Sequence, residues 1–283
     1  MLTVLVAGLL EHDSGKTWIG LSLYEALKSL GYRVKCFKPV AGHNAWYQYN
    51  TIVESMKAKL LVGEDALKYH KATGEPIEVL NPIDVLLAPM NPKSYSSIHA
   101  YLSTLSTLPQ QLVLARLSRC LPTISSQHYY FKLLDNVVPP LRQQIKELAR
   151  ELKAVEGDAT KFISLLASSE AEQIIDSCCK LLLEDTDALI VESFNNAATP
   201  YGLILNRITH AIVVTPGYLA VYDGEDYRNA VKKVYENLGF NGLTTSIVVK
   251  DLEPLHEVYV PPANSPLELA DTIKEVAKRI AES

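Results

Sequence analysis

The first forty residues change hydrophobic period twice, and that change leaves few folds open to the chain. Leu2-Thr-Val-Leu-Val-Ala7 is a nearly continuous apolar run, suited to a strand buried on both faces as in a parallel sheet. Gly8 to Gly15 is a polar loop. From Lys16 onward, Ile19, Leu23, Ala26, Leu27 and Leu30 recur at i, i+4, i+7, i+8 and i+11, one face of a helix, and Gly31 stands where a helix-ending glycine belongs. Residues 32–40 return to strand character. Strand, helix and strand in this order make a βαβ unit, whose strands run parallel and whose crossover is right-handed.

The junction between that first strand and helix reads Gly8-Leu-Leu-Glu-His-Asp13-Ser14-Gly15-Lys16-Thr17. Phosphates need backbone N–H donors that approach closely, the positive end of a helix, a lysine for the β/γ oxygens and a hydroxyl for Mg²⁺. Gly15, Lys16 and Thr17 supply these in order. Nucleotide-binding residues are therefore expected at Gly8, Asp13, Ser14, Gly15, Lys16 and Thr17. The spacing is unusual, with six residues between the two glycines instead of the common four. The plain alternative is a chance Gly-Lys-Thr opening a surface helix.

Further along, residues 50–61 and 64–73 have helical patterns. Residues 80–92 carry three prolines and are expected to be extended or turned. Residues 111–119 and 127–134 suit an antiparallel strand pair. Pro139-Pro140 opens a helix with Leu141, Ile145, Leu148 and Leu152 on one face, and residues 169–182 suit another. Strands are expected at 187–192, 210–215, 245–250 and 257–260, and a helix at 226–238. Ser265-Pro-Leu-Glu268 reads as a capping box opening the last helix.

Composition acts by exclusion. With 48% hydrophobic and 21% charged residues, disorder and collagen-like repeats are out. Asp and Glu number 32 against 27 Lys and Arg, a net charge of −5 that argues against coating nucleic acid or an anionic membrane. No apolar run approaches the roughly 20 residues of a spanning helix. The amino-terminal stretch has no basic region and reads as a buried strand, not a signal peptide. The cysteines, at 36, 120, 178 and 179, form no Cys-x-x-Cys pair, so neither a disulfide framework nor a zinc site is expected. A reducing cytoplasm is the default, with Cys178 and Cys179 as buried, inert thiols.

The loop, its Gly-Lys-Thr, the helix and the following Lys38-Pro39-Val40-Ala41-Gly42 resemble dethiobiotin synthetase and its relatives among the P-loop ATPases of the MinD and cobyric-acid-synthase group. The resemblance covers about residues 1–95 and 185–283. It implies that Lys38, at the end of the second strand, faces the reacting phosphate and the substrate. It also likens Asn81-Pro82 and Ala88-Pro89 to the substrate-side segment, and Glu192 to the glutamate that ligates Mg²⁺. The sequence departs from the synthetase in four places. The phosphate loop is one residue longer, Gly42 replaces a serine, Ser193-Phe-Asn-Asn replaces a glycine-rich run, and about seventy extra residues precede Asp187. These departures lie around the acceptor and bring the sequence nearer to archaeal predicted P-loop ATPase/GTPases.

Other positions carry two readings each. Glu192 either ligates Mg²⁺ with Thr17 or ends a strand in solvent. Glu54 is either a supporting acid or a solvated helix residue. Glu11, His12 and Asp13 either polarise a water or solvate the loop. Lys250-Asp251 resembles a purine-recognition point, with Pro261 and Pro262 packing on the base; an ordinary turn is the alternative. His128-Tyr129-Tyr130 with Arg116 and Arg119 is either a recognition surface or aromatic packing with surface charge.

The expected fold is α/β, a mostly parallel sheet with helices on both faces, residues 1–283 forming a single P-loop NTPase domain with a largely helical insertion at 95–180. The expected function is Mg²⁺-dependent binding of ATP or GTP with phosphoryl transfer or hydrolysis, Lys16 and Lys38 being catalytic. The acceptor is an unidentified small molecule, activated as a carboxylate or carbamate if the synthetase is the guide. A regulatory NTPase switching a protein partner and a non-hydrolysing nucleotide-binding scaffold are the alternatives. A homodimer is compatible with the helix face 141–152.

Overall fold

The structure, a computed structural model, describes residues 1–105 and 107–282. The strands in chain order are β1 (Leu2–Gly8), β2 (Val34–Phe37), β3 (Val40–Asn44), β4 (Ile83–Leu87), β5 (Leu112–Arg119), β6 (Ser125–Phe131), β7 (Val155–Gly157), β8 (Ala188–Glu192), β9 (His210–Thr215), β10 (Tyr218–Asp223) and β11 (His256–Tyr259). The α-helices are α1 (Lys16–Ser29), α2 (Asn50–Ala58), α3 (Glu64–Thr73), α4 (Ile77–Leu80), α5 (Ile98–Leu105), α6 (Pro139–Glu151), α7 (Ala159–Leu166), α8 (Ser169–Leu183), α9 (Gly224–Leu238), α10 (Thr245–Val248) and α11 (Ala270–Glu282). The chain divides into two compact units. One comprises Met1–Pro39, Tyr69–Glu75 and Cys179–Ser283; the other comprises Val40–Lys68 and Pro76–Cys178. The segment expected as an insertion from residue 95 is thus part of a larger unit that begins at Val40.

The first unit holds a six-stranded sheet in the order β11-β10-β9-β1-β8-β2. β2, β8, β1 and β9 are parallel, and β10 and β11 add an antiparallel edge. β1 and β8 are buried along their whole length, as their unbroken apolar runs require. β1 and β2 are parallel as the βαβ reading demands, but β8 lies between them. α11 buries Ile273, Val276, Ala277 and Ile280, one face of a helix, and packs against α1.

The second unit holds its own five-stranded sheet, β3-β4-β5-β6-β7, with parallel pairs at both ends and antiparallel pairs in the middle. The expected antiparallel pair is present as β5 and β6. Within 95–180, α5, α6, α7 and most of α8 accompany β5, β6 and β7, so helices and strands of this sheet share the segment. One face of this sheet buries Leu86 and Leu114 with Ile145 and Leu148 of α6; Val85, Ala115 and Phe131 pack with Phe162 of α7.

A polar stripe crosses this apolar interior. Asp84, Arg116 and His128 are opposed in register on β4, β5 and β6, and His43 of β3 lies diagonal to Asp84. All four are buried, so Arg116 and His128 do not form the surface considered from the sequence. Arg116 is satisfied by the Leu61 carbonyl at 2.7 Å, Ser118 at 2.6 Å and Asn81 at 2.7 Å. The Thr51 hydroxyl donates to the Gln48 carbonyl, so the His43 Nδ1–H donates to Thr51, 2.7 Å away, and Nε2 keeps its lone pair. Nε2 faces Asp84 Oδ1 at 3.4 Å, while the Gly63 N–H donates to Oδ2 at 2.6 Å. Only a protonated Asp84 makes that Nε2···Oδ1 contact favourable.

The acid–base shifts agree with this arrangement. Burial pushes Asp84 up to about 7, the nearby Arg116 offsetting part of the rise. Burial and then Arg116 hold His43 down to about 3 and His128 down to about 4. Asp84 alone favours folding below its unfolded value of 3.8 and loses that contribution as pH rises to about 7. Each histidine favours folding above 6.5 and loses that contribution as pH falls. Between about pH 4 and 6.5 the unfolded chain holds two histidine protons where the folded chain holds one on Asp84. These three groups therefore make stability rise with pH by one net proton, about 1.4 kcal/mol per unit, and His210, also lowered by burial, adds in the same direction. Urea midpoints measured at pH 4.5, 5.5 and 6.5 should climb accordingly. In Asp84→Asn, which mimics the protonated acid, the slope should steepen by one further proton; a flat profile would contradict the assignment.

Three further expectations are corrected. Residues 245–250 are helical: α10 is followed by a 3-10 turn at Val249–Asp251. Thr245 donates both its N–H and its hydroxyl to the Asn196 carbonyl, and this tertiary anchor overrides a β-branched run. Ser265 makes no side-chain cap bond; Glu268 accepts instead from the Asn264 N–H at 2.8 Å. Cys120 and Cys178 form a disulfide in the second unit, with Cα atoms 5.1 Å apart across 58 residues of sequence. Closing a loop of that size contributes about 4 kcal/mol in the chain-entropy picture. Cys36 and Cys179 are buried thiols outside the disulfide.

Candidate functional site

Three carboxyl ends meet in the first sheet. β8 sits between β1 and β2, with Val6 opposite Glu192 and Phe37 opposite Val191. The loop after Gly8, the carboxylate of Glu192 and the side chain of Lys38 therefore emerge at one edge of the sheet, where ligands of open α/β folds bind.

Local chemistry shapes the loop. A Cβ at Gly8 would lie 2.5 Å from Ser14 Oγ and 3.0 Å from Lys16 Nζ, so only glycine admits the returning chain. Ser14 is buried; its hydroxyl accepts from the Leu10 N–H and donates to the Leu10 carbonyl, pinning the loop across its base. Asp13 and Gly15 both have positive φ, 54° and 89°, which turns the backbone sharply into α1. α1 then begins with no side-chain cap and no acidic residue in its first turn. The first N–H groups of a helix have no intrahelical acceptor, and here no side chain caps them. Glu11, His12 and Asp13 are exposed in the loop.

The two residues that follow Gly15 both reach β8. Lys16 donates to the Asn195 carbonyl at 2.8 Å, and Thr17 donates to Glu192 Oε1 at 3.1 Å. Asn195 has φ of 44°, in the loop that turns back after β8. Lys38, only 4% exposed, donates to the same Oε1 at 2.6 Å and to the Ser193 carbonyl at 2.8 Å. Glu192 is 1% exposed. Lys38 is thus shielded from water, and the reading of Glu192 as an acid ending a strand in solvent is overturned. A buried ion pair of this kind adds little net stability, because desolvation cancels most of its attraction, yet losing either partner is costly.

The sequence reading missed Tyr69. This buried residue of α3 donates its phenolic hydrogen to Glu192 Oε2 at 2.6 Å. Its ring lies over Gly20 of α1, where a Cβ would collide with the phenolic oxygen and lie 3.2 Å from Cζ. A glycine in mid-helix was the one signal in the sequence that something packs closely there.

The other expected positions lie elsewhere. Lys250 and Asp251 are exposed on the 3-10 turn, and Pro261 and Pro262 are exposed after β11, a strand separated from β1 by β10 and β9. Their reading as a base-recognition point following a strand therefore loses its strand. Glu54 belongs to the second unit and pairs with Lys57 on its own helix at 2.7 Å. Arg119 pairs with Glu170 at 2.9 Å.

Among the described residues no group of three or more His, Cys, Asp or Glu side chains is arranged to hold a metal. A hydroxyl with one carboxylate, Thr17 with Glu192, is a donor set of another kind. It suits a hard cation whose remaining ligands are water and phosphate oxygens. No described helix is long and apolar enough to cross a membrane. Comparison with protein-family models, curated proteins and solved structures gives no match.

Proposed function

We propose that the Gly8–Thr17 loop binds the phosphates of a purine nucleoside triphosphate, ATP or GTP, and that the chain hydrolyses it or transfers its terminal phosphoryl group to a small-molecule acceptor. One observation carries this reading. An uncapped helix N-terminus, Lys16, Thr17, Lys38 and Glu192 converge at the carboxyl edge of the parallel strands, with Thr17 and Lys38 bonded to Glu192 at 3.1 and 2.6 Å and Lys16 to the Asn195 carbonyl at 2.8 Å. Thr17 and Glu192 would hold Mg²⁺, which when bound neutralises charge on the phosphate oxygens. The backbone N–H groups of the loop and of the first turn of α1 would orient the phosphates. Lys16 would exchange the Asn195 carbonyl for phosphate oxygens. Lys38 would carry its charge toward the group being transferred, stabilising negative charge that builds up in the transition state. An acceptor activated as a carboxylate or carbamate is the synthetase-like form of this proposal.

A second reading, an NTPase that switches a protein partner, is favoured by α5. Ile98, Leu102 and Leu105 recur at i, i+4 and i+7 on that helix and are all exposed. Direct titration of the protein with ATP and GTP, with and without Mg²⁺, tests the nucleotide claim common to both readings. Saturable binding that Mg²⁺ tightens is expected, and absence of binding for either nucleotide refutes the proposal.

A further inference from the structure

Tyr69 has no role in the chemistry above, although its phenol is held as firmly as any group at the site. The segment that carries it, Tyr69–Glu75, is anchored within the first unit. Tyr24 of α1 donates to the Ala72 carbonyl at 3.1 Å, and Lys35 pairs with Glu75 at 3.6 Å. Gly20 makes room for the ring, at a cost in helix propensity relative to alanine. A helix that gives up that stability at a single interior position does so here for one phenol.

The two oxygens of Glu192 are used differently. Oε1 receives both Thr17 and Lys38, the hydroxyl and the lysine expected to engage cation and phosphate. Oε2 receives Tyr69, a neutral donor that does not occupy the edge facing Thr17. When Lys38 turns toward a ligand, Glu192 loses one restraint and Tyr69 keeps the other. We propose that Tyr69 is the positioning residue that fixes Glu192 for a divalent cation at Thr17, and that Gly20 is the notch that admits it. This rests on the phosphate-loop reading. Lys38 is then the exchangeable partner of Glu192 and Tyr69 the permanent one. Outer hydrogen bonds of this kind orient metal-ligating carboxylates, and losing one typically costs ten- to a hundredfold in metal affinity, by order of magnitude.

The test uses the full chain and calorimetric titration with ATP or GTP, each in EDTA and in Mg²⁺. The quantity compared is the factor by which Mg²⁺ tightens nucleotide binding, in wild type, Tyr69→Phe and Gly20→Ala. That factor should fall about tenfold or more in both variants, while affinity in EDTA shifts by less than about twofold. Tyr69→Phe removes one oxygen. Gly20→Ala improves helix propensity, so its loss cannot come from a weakened α1, and thermal melts check folding in each. Wild-type tightening in Tyr69→Phe overturns the proposal, and wild-type tightening in Gly20→Ala overturns the notch. Equal weakening with and without Mg²⁺ would mean a merely structural tyrosine and also overturns it. A wild-type protein that binds neither nucleotide refutes the phosphate-loop reading itself, and the proposal falls with it, a result distinct from the others.

Discussion

In a Lys38→Ala protein, nucleotide turnover falls by about a hundredfold or more, the loss seen when one electrostatic stabiliser of a transition state is removed. Affinity for the Mg²⁺–nucleotide complex holds or improves. Both outcomes come from the same geometry. Lys38 Nζ lies 2.6 Å from Glu192 Oε1, on the oxygen that Thr17 also contacts, so on the proposed reading lysine and divalent cation would compete for one carboxylate edge. Removing the lysine frees that edge and leaves a buried carboxylate with Thr17 and Tyr69 as donors but with less compensating charge. The ligand-free protein should therefore be destabilised, by about 3–5 kcal/mol for a broken buried pair. Turnover is best measured at saturating Mg²⁺ and nucleotide, where the cation would restore positive charge beside Glu192 and binding would favour the folded state. Lys38→Gln can still donate to the Ser193 carbonyl but carries no charge, and it should rescue folding more than rate. Phosphate release at the wild-type rate in Lys38→Ala would remove the lysine from the chemistry.

Lys16→Ala has the largest expected effect on binding. Truncating one partner of a desolvated charge contact costs about 2–5 kcal/mol, so triphosphate affinity should drop by about thirtyfold or more. Folding should be nearly unaffected. Lys16 donates to a loop carbonyl, that of Asn195, while the ion pair at the centre of the site joins Lys38 to Glu192. A melting temperature close to wild type, with calorimetric binding lost, is the expected pair of results. Unchanged affinity would show that the lysine faces no phosphate.

How far the sequence announced this site differs residue by residue. β1, the loop and α1 were legible because they follow one another in the chain and each carries a strong local signal: an unbroken apolar run, glycines at a turn, and a 3.6-residue period. Lys38 and Glu192 were legible by place, as polar residues closing buried strands. Their mutual contact was not, because the order of β1, β8 and β2 is set by pairing between segments about 150 residues apart, which no local pattern encodes. Tyr69 was hidden for the same reason, and only Gly20 marked its place. The helical turn at Thr245–Val248 defeated a propensity argument, since two bonds to the Asn196 carbonyl outweigh the β preference of Thr, Ile and Val. The sheet of the second unit was half legible. β5 and β6 could be read, but β3 and β7 are short strands of three to five residues, with glycine in each. The pairing of Cys120 with Cys178 could not be read from spacing, because Cys179 stands beside its partner and carries the same signal.

The central claim is that phosphates bind at the N-terminus of α1. Backbone amide hydrogen exchange with and without Mg²⁺–nucleotide tests it at the residues concerned. Bound phosphate should slow exchange across residues 11–18, where loop and first-turn N–H groups would gain acceptors, and more weakly in residues 193–196 beside Lys16. Protection confined to other segments, or none at saturating nucleotide, would contradict the claim.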